Sequence, residues 1–290
     1  MKGVARSSGA ITFVNALGTG VGSAAGVSMP VEATVELDAT RGSSTVELPL
    51  DSDSPLVRAT VAAALGAWAP NRSFAAAIRV RSEIPPARGL KSSSAVSGAV
   101  ARAVAAALRI LVTNEEVARL SADVSQSIGL SATGAFDDAL ATLEPGIHVT
   151  DNSARRRIRS DTIDPSWQVV LWIPRQLHLP SPVYREQFHR LREQAAAAER
   201  AARRGAALDA MAANTRVVEQ AVGYDYGTIR EELRSHGALG SGVSGLGPAL
   251  AIITPPERIG AILRTLPPGE GEVLVTRFTN SLAEPLVEGT

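Results

Sequence analysis

The stretch that most constrains this chain is Pro85-Pro86-Ala87-Arg88-Gly89-Leu90-Lys91-Ser92-Ser93-Ser94-Ala95, with the long apolar segment that follows it. Two prolines and a glycine keep its first half out of regular structure. The three serines stand where a helix must begin, and serine is a favoured N-cap because its oxygen accepts from an unpaired backbone N–H. From Ala95 to Val112 the spacing predicts a helix, with Val96, Val100, Val104, Ala107 and Leu111 on one face. A loop with a lysine, feeding hydroxyls and free amides at a helix N-terminus, suits a polyanion such as triphosphate. An ordinary capped helix after a surface loop has the same local pattern.

A chain of 290 residues is long enough for two modest domains or one large one. Its 45% hydrophobic and 20% charged content describe a soluble globular protein. Formal net charge is zero, which argues against a general nucleic-acid or anionic-membrane binder and makes recognition of a charged ligand a local matter. With no cysteine there is no disulfide framework, thiolate metal site or cysteine nucleophile. The first six residues lack a signal-peptide core, and Arg102 and Arg109 interrupt the alanine-rich helix, so a cytoplasmic protein is expected.

Strands are expected at Ile11–Val14, Val31–Leu37, Ser44–Leu48, Phe74–Val80, Ile147–Thr150, Trp167–Ile173, Ala249–Thr254 and Glu272–Thr276. Helices are expected at Leu56–Trp68, from Asn114 to about residue 128, as one charged alanine-rich rod over 183–204, at 206–221 and 226–236, and at Glu257–Leu266. The arginine run Arg155–Arg159 reads as a solvated loop or linker, with the domain boundary close by. That gives a first domain over 1–160 and a second over 161–290. Helices mixed with hairpin-like strand pairs suggest α+β rather than a doubly wound sheet.

The usual chemical signatures are missing. No P-loop occurs. Gly240-Ser241-Gly242-Val243-Ser244-Gly245 spells a dinucleotide fingerprint, yet a helix precedes it and a strand follows, the reverse of what that turn needs. His148, His178, His189 and His236 show no metal-ligand spacing, and there is no serine-hydrolase elbow. Gly18, Gly20, Gly22 and Gly26 could bring backbone close to a ligand or form a flexible loop. Asp137 and Asp138 stand at a helix start, where acids also serve as simple dipole partners.

The pattern Pro-x-x-x-Gly-Leu-Lys-Ser-Ser-x-Ala over 85–95 resembles the phosphate-binding signature of the GHMP kinases, with Lys91 where most members carry glycine. Joined to Gly134-Ala135-Phe136-Asp137-Asp138-Ala139 and to Ser244-Gly245-Leu246-Gly247-Pro248-Ala249, it is similar to the archaeal-type shikimate kinases in particular. The resemblance implies an α+β, two-domain GHMP kinase fold, with a ribosomal S5 domain 2-like N-terminal domain and a ferredoxin-like C-terminal domain. It implies ATP and Mg²⁺ as cofactors and phosphorylation of the shikimate 3-hydroxyl in aromatic amino-acid biosynthesis. Asp137 would be the base and Lys91 a catalytic cation. Pro86, Ala87, Arg88, Gly89, Leu90, Lys91, Ser92, Ser93, Ser94 and Ala95 would hold nucleotide, although Arg88 by itself reads as a loop surface charge. Asn15, Asp137, Ser244, Gly245 and Gly247 would meet the substrate, and Ser93 the metal. Gln126 stands where several relatives supply a glutamate metal ligand. The substrate carboxylate calls for an arginine or lysine, and Arg6 is one candidate. Homoserine or pantoate kinase is the near alternative, and an RNA-binding regulatory protein is the distant one. A small-molecule substrate, no nucleic-acid or membrane partner, and a monomer or homodimer complete the expectation.

Overall fold

The structure, a computed structural model, describes residues 1–39, 46–47, 54–175 and 182–280. The expected strand over Ser44–Leu48 is described only as β3 (Val46–Glu47), and His178 lies outside the described residues. A first mixed sheet contains β1 (Lys2–Val14), β2 (Val21–Asp38), β3, β4 (Ala75–Ser82), β5 (Ile147–Asp151) and β6 (Arg156–Asp161). Strand β2 organises it, because one half pairs with β4, the other half with β5, and β1 runs antiparallel along both.

The second sheet is formed by β7 (Gln168–Pro174), β8 (Gly240–Val243), β9 (Leu250–Thr254) and β10 (Gly271–Arg277), in the order β10-β7-β9-β8 with every pair antiparallel. Its helices fall between β7 and β8 and between β9 and β10, which is the β-α-β-β-α-β arrangement of a ferredoxin-like sheet. Apolar residues of both sheets share one core, in which Ala33, Val35 and Ile78 belong to the same cluster as Leu171, Ala251 and Ile253.

The first sheet carries α1 (Pro55–Trp68), α2 (Ser92–Leu108), α3 (Asn114–Ser127) and α4 (Phe136–Ala141). Helix α2 is shorter than its apolar run suggests. Arg109 turns left-handed and ends it, so Leu111 stands fully in solvent instead of extending the buried face. Alanine and glycine let α2 be buried nearly all round, and a side chain at Gly3 of β1 would overlap the helix backbone. A complete capping box between Thr113 and Glu116 starts α3.

In the second half, α5 (Pro182–Arg190), α6 (Arg192–Arg203), α7 (Ala207–Val222), α8 (Gly227–Ser235) and α9 (Ile259–Thr265) complete the described helices. The single rod expected over 183–204 is two helices broken at Leu191. Their apolar faces turn onto the β1–β2 loop, where a side chain at Gly18 would overlap Ala195. The arginine run is likewise not a linker, since residues 156–161 form β6 and pair with β5.

Candidate active site

A cleft of about 840 Å³ lies where the phosphate-type loop, the start of α2, the turn before α4, the β1–β2 loop, α5 and the loop after β8 converge. Positive φ recurs at Ala87, Gly89 and Lys91, every second residue, and such alternation builds a backbone concavity suited to anions. The carbonyls of the loop are committed to the protein. Arg88 O accepts from Ala249 N (3.3 Å), Gly89 O from Ser244 Oγ (2.7 Å) and Leu90 O from Ala10 N (3.3 Å). Gly89 is required twice over, by φ +80° and because a Cβ would overlap Ser244 O.

The serines do not cap α2. Lys91 is the N-cap, left-handed at φ +65°, and the helix starts without a side-chain cap. The first-turn amides of Ser92, Ser93 and Ser94 therefore have no intrahelical partner. The left-handed lysine accepts a local strain of about 1–2 kcal/mol, and its Nζ lies 2.9 Å from Asp138 Oδ1.

Asp137 sits in the first turn of α4 and is only 4% exposed. Its Oδ1 accepts from Asn152 Nδ2 (2.8 Å), while its N–H donates to Asn152 Oδ1 (3.2 Å). Thr150 Oγ1 also donates to Asn152 Oδ1 (2.7 Å), which fixes the amide so that its NH₂ must face the carboxylate. The carboxylate lies flat against Gly22 of β2, where any side chain would displace it. Burial, and secondarily the charge of Asp138, pushes the Asp137 carboxyl up to about 7, against opposing pulls from Lys91 and Asn152.

The loop after β8 closes one wall. Gly245 N donates to Thr12 Oγ1 (2.8 Å), Asn15 Nδ2 donates to Gly245 O (3.2 Å), and Ser244 Oγ accepts from Thr12 N (3.3 Å). Beneath it, Tyr224 donates to Leu246 O (2.8 Å) and Tyr226 to Pro248 O (3.1 Å), their rings stacked at 5.0 Å. Because β8 ends at Val243 and a strand follows, the Gly-x-Gly-x-x-Gly spelling carries no dinucleotide turn.

Of the residues singled out from sequence, Asn15, Ala87 through Ser94, Asp137, Gly245 and Gly247 line the cleft, together with Gln126. Pro86, Ala95 and Ser244 do not line it. Pro86 is exposed, Ala95 is buried in the α2 core, and Ser244 lies fully buried behind Gly89. Arg88 is no free surface charge, for it is half-buried and donates to Pro174 O (3.1 Å). Arg6 points away from the cleft and pairs with Glu32 at 2.7 Å. Asn152 and Arg185 escaped the sequence reading, Arg155 was read only as part of a solvated arginine run, and Gly22 was named only within the glycine-rich stretch. Only the polar Asn152 at the end of an apolar strand gave a local signal.

As donors for a divalent cation, the described residues offer the exposed Ser93 hydroxyl and its neighbour Ser92, while Gln126 Oε1 is engaged by Arg155 Nη2 (2.6 Å). No group of three or more His, Cys, Asp or Glu able to hold a metal occurs among the described residues. That donor set fits a cation carried mainly by a ligand's phosphate oxygens, with a protein hydroxyl in support.

The family model described as GHMP kinases N terminal domain matches residues 56–146. The shikimate kinase of Pyrococcus abyssi is 33% identical over 265 residues, covering 89% of this chain and 94% of the relative. The chain belongs to the GHMP kinases. The shikimate kinase of Thermococcus kodakarensis is 34% identical over 258 residues, covering 88% and 93%. Among solved structures, the mevalonate kinase of Methanococcus jannaschii superposes with a TM-score of 0.74 at 12% identity, over 96% of this chain and 98% of that one. A phosphotransferase related to the CoA biosynthesis pathway reaches 0.78 at 13% identity, over 99% of both. These two show the GHMP kinase fold. No described helix is long and apolar enough to cross a membrane.

Proposed function

We propose that this GHMP kinase is a shikimate kinase, transferring the γ-phosphoryl group of ATP to the 3-hydroxyl of shikimate to give shikimate 3-phosphate and ADP. The observation that carries the reading is the buried Asp137 carboxylate sharing one cleft with the uncapped start of α2. The likeness to curated shikimate kinases over most of the chain selects the acceptor.

Phosphoryl transfer asks mainly for positioning and for charge placed against the transferring oxygens. The backbone concavity from Ala87 to Lys91 and the amides of Ser92 to Ser94 receive the phosphates. Asp137 accepts the proton of the acceptor hydroxyl as its oxygen bonds to phosphorus and the bond to the leaving ADP breaks. Lys91, held by Asp138, supplies positive charge nearby and favours the ionised form of Asp137. Ser93 would support a Mg²⁺ ion brought by the nucleotide, which would supply charge neutralisation at the phosphates.

Three cations line the cleft. Lys91 is paired with Asp138, and Arg88 is tied to Pro174. Arg185 of α5 has no ion-pair or hydrogen-bond partner among the described residues, and Tyr184 beside it packs in one cluster with Leu17, two residues past Asn15. Arg185 is therefore the assigned anchor for the shikimate carboxylate, which a planar guanidinium binds bidentately.

A coupled ADP-release assay across small hydroxy acids tests the function. Turnover on shikimate, with little on homoserine, pantoate or mevalonate, is expected. High turnover on homoserine with none on shikimate would end the assignment.

A further inference from the structure

Arg155 is the most heavily engaged side chain near the cleft, yet it does not line it. Its Nε donates to Asp123 Oδ1 (3.1 Å) and its Nη2 to Gln126 Oε1 (2.6 Å), both at the end of α3. Its Nη1 donates to Thr133 O (2.9 Å) in the turn before α4 and to the backbone carbonyl of Asn152. The Arg155 side chain is 15% exposed, while its Asp123 partner is 69% exposed, so the bonds to Thr133 O and Asn152 O are the sheltered ones.

The local backbone is shaped around it. Arg155 adopts φ +48°, a conformation unfavourable for a residue with a side chain. Gly134 lies at φ +77°, and a Cβ there would overlap the guanidinium. Gly134 and Arg155 thus form a matched pair, one vacating the space the other fills. The guanidinium ties together three segments: the end of α3, the turn leading into Asp137, and the residue that holds the Asp137 carboxylate. It also takes up Gln126, whose amide oxygen accepts from it.

We infer that Arg155 is a positioning residue for phosphoryl transfer, fixing Asn152, and through Asn152 the Asp137 carboxylate, relative to the bound acceptor. The inference rests on Asp137 acting as the base. Asp137 is faced by Gly22 from β2, Lys91 from the start of α2, Asp138 on its own helix and Asn152 after β5. Lys91 and Asp138 are the charged groups among them. Loosening Asn152 weakens the hydrogen bond that favours the ionised carboxylate, so the proton is held more tightly.

The test compares wild type, Arg155→Ala, Arg155→Lys and Asp137→Asn in kcat, KM for each substrate, and the pH dependence of kcat. Arg155→Ala should lower kcat roughly 10- to 100-fold, the scale of a misplacement of about 1 Å. KM for ATP should stay within about twofold, and the acid limb of the kcat profile should move to higher pH. Arg155→Lys should restore only part, because an ammonium lacks the planar fork that reaches several acceptors at once. A kcat within about threefold of wild type overturns the inference. So does an equal loss at every pH with the acid limb unmoved, which marks a purely structural role. Should Arg155→Ala fail to fold, Arg155→Lys decides, and a lysine enzyme with wild-type kcat and acid limb overturns it. Wild-type turnover by Asp137→Asn would instead remove the base assignment itself. An inactive Asp137→Asn beside an unaffected Arg155→Ala would remove this inference alone.

Discussion

Replacing Asp137 with asparagine should change how the stability of the folded chain depends on pH. In the fold the carboxyl is pushed up from 3.8 to about 7, chiefly by burial. Between those values the native protein keeps a proton that the unfolded chain has released. The stabilising contribution is complete below the unfolded value and is lost as pH rises through the folded one. From pH 5 to the folded value spans about two pH units at about 1.4 kcal/mol each, so the ceiling is about 3 kcal/mol between pH 5 and pH 8. Asparagine does not titrate, so Asp137→Asn should gain on wild type by up to that amount over the interval. In a chain of this size that is about 5 °C in relative Tm. Urea denaturation of both proteins at pH 5 and pH 8 measures it, and taking the change between the two pH values cancels any pH-independent effect of the new amide. Parallel pH dependences, differing by less than about 0.5 kcal/mol, would refute a buried, destabilised carboxylate at this position.

The same substitution should lower kcat by roughly 10²–10⁴ with ATP affinity little changed, as for a lost general base; activity within about threefold of wild type would remove Asp137 from that role. Arg185→Ala should raise KM for shikimate at least about tenfold, leave KM for ATP unaltered, and lose its effect on an analogue whose carboxylate is replaced by a carboxamide. An equal rise in both KM values would place Arg185 elsewhere. Ser93→Ala should raise the Mg²⁺ concentration for half-maximal rate, and an unchanged magnesium titration would assign that position to Ser92 or water. Gly89→Ala, at φ +80° and against Ser244 O, should abolish ATP binding or soluble expression, and a well-behaved, active variant would contradict the packing.

Local periodicity disclosed most of the elements, since alternation marks β2 and small-residue composition marks α2 as a buried helix. Phosphate loop, Asp137 and the loop after β8 were legible because their motifs are short and contiguous. Leu191 was not, because nothing in an alanine-rich charged run announces a break that tertiary packing on the β1–β2 loop imposes. The serines misled for a related reason, as the left-handed Lys91 took the cap position and the helix starts at Ser92, three residues before the expected Ala95. Arg155 was invisible in a different way. A run of arginines usually signals a wet surface, and only the fold brings Gly134, Gln126 and Asn152 around this one. Arg6, the sequence's candidate for the carboxylate, is claimed by Glu32 across the sheet, while α5 brings Arg185, which no motif marked, to the cleft.

Ser244 accepts from Thr12 and donates to Gly89, partners 232 and 155 positions earlier in the chain. The phosphate loop therefore reaches its finished shape only once the ribosome has delivered nearly the entire protein. A nascent chain stalled before this serine, or a fragment clipped ahead of it, would carry the same loop without the bonds from Ser244 and Ala249 that hold its carbonyls.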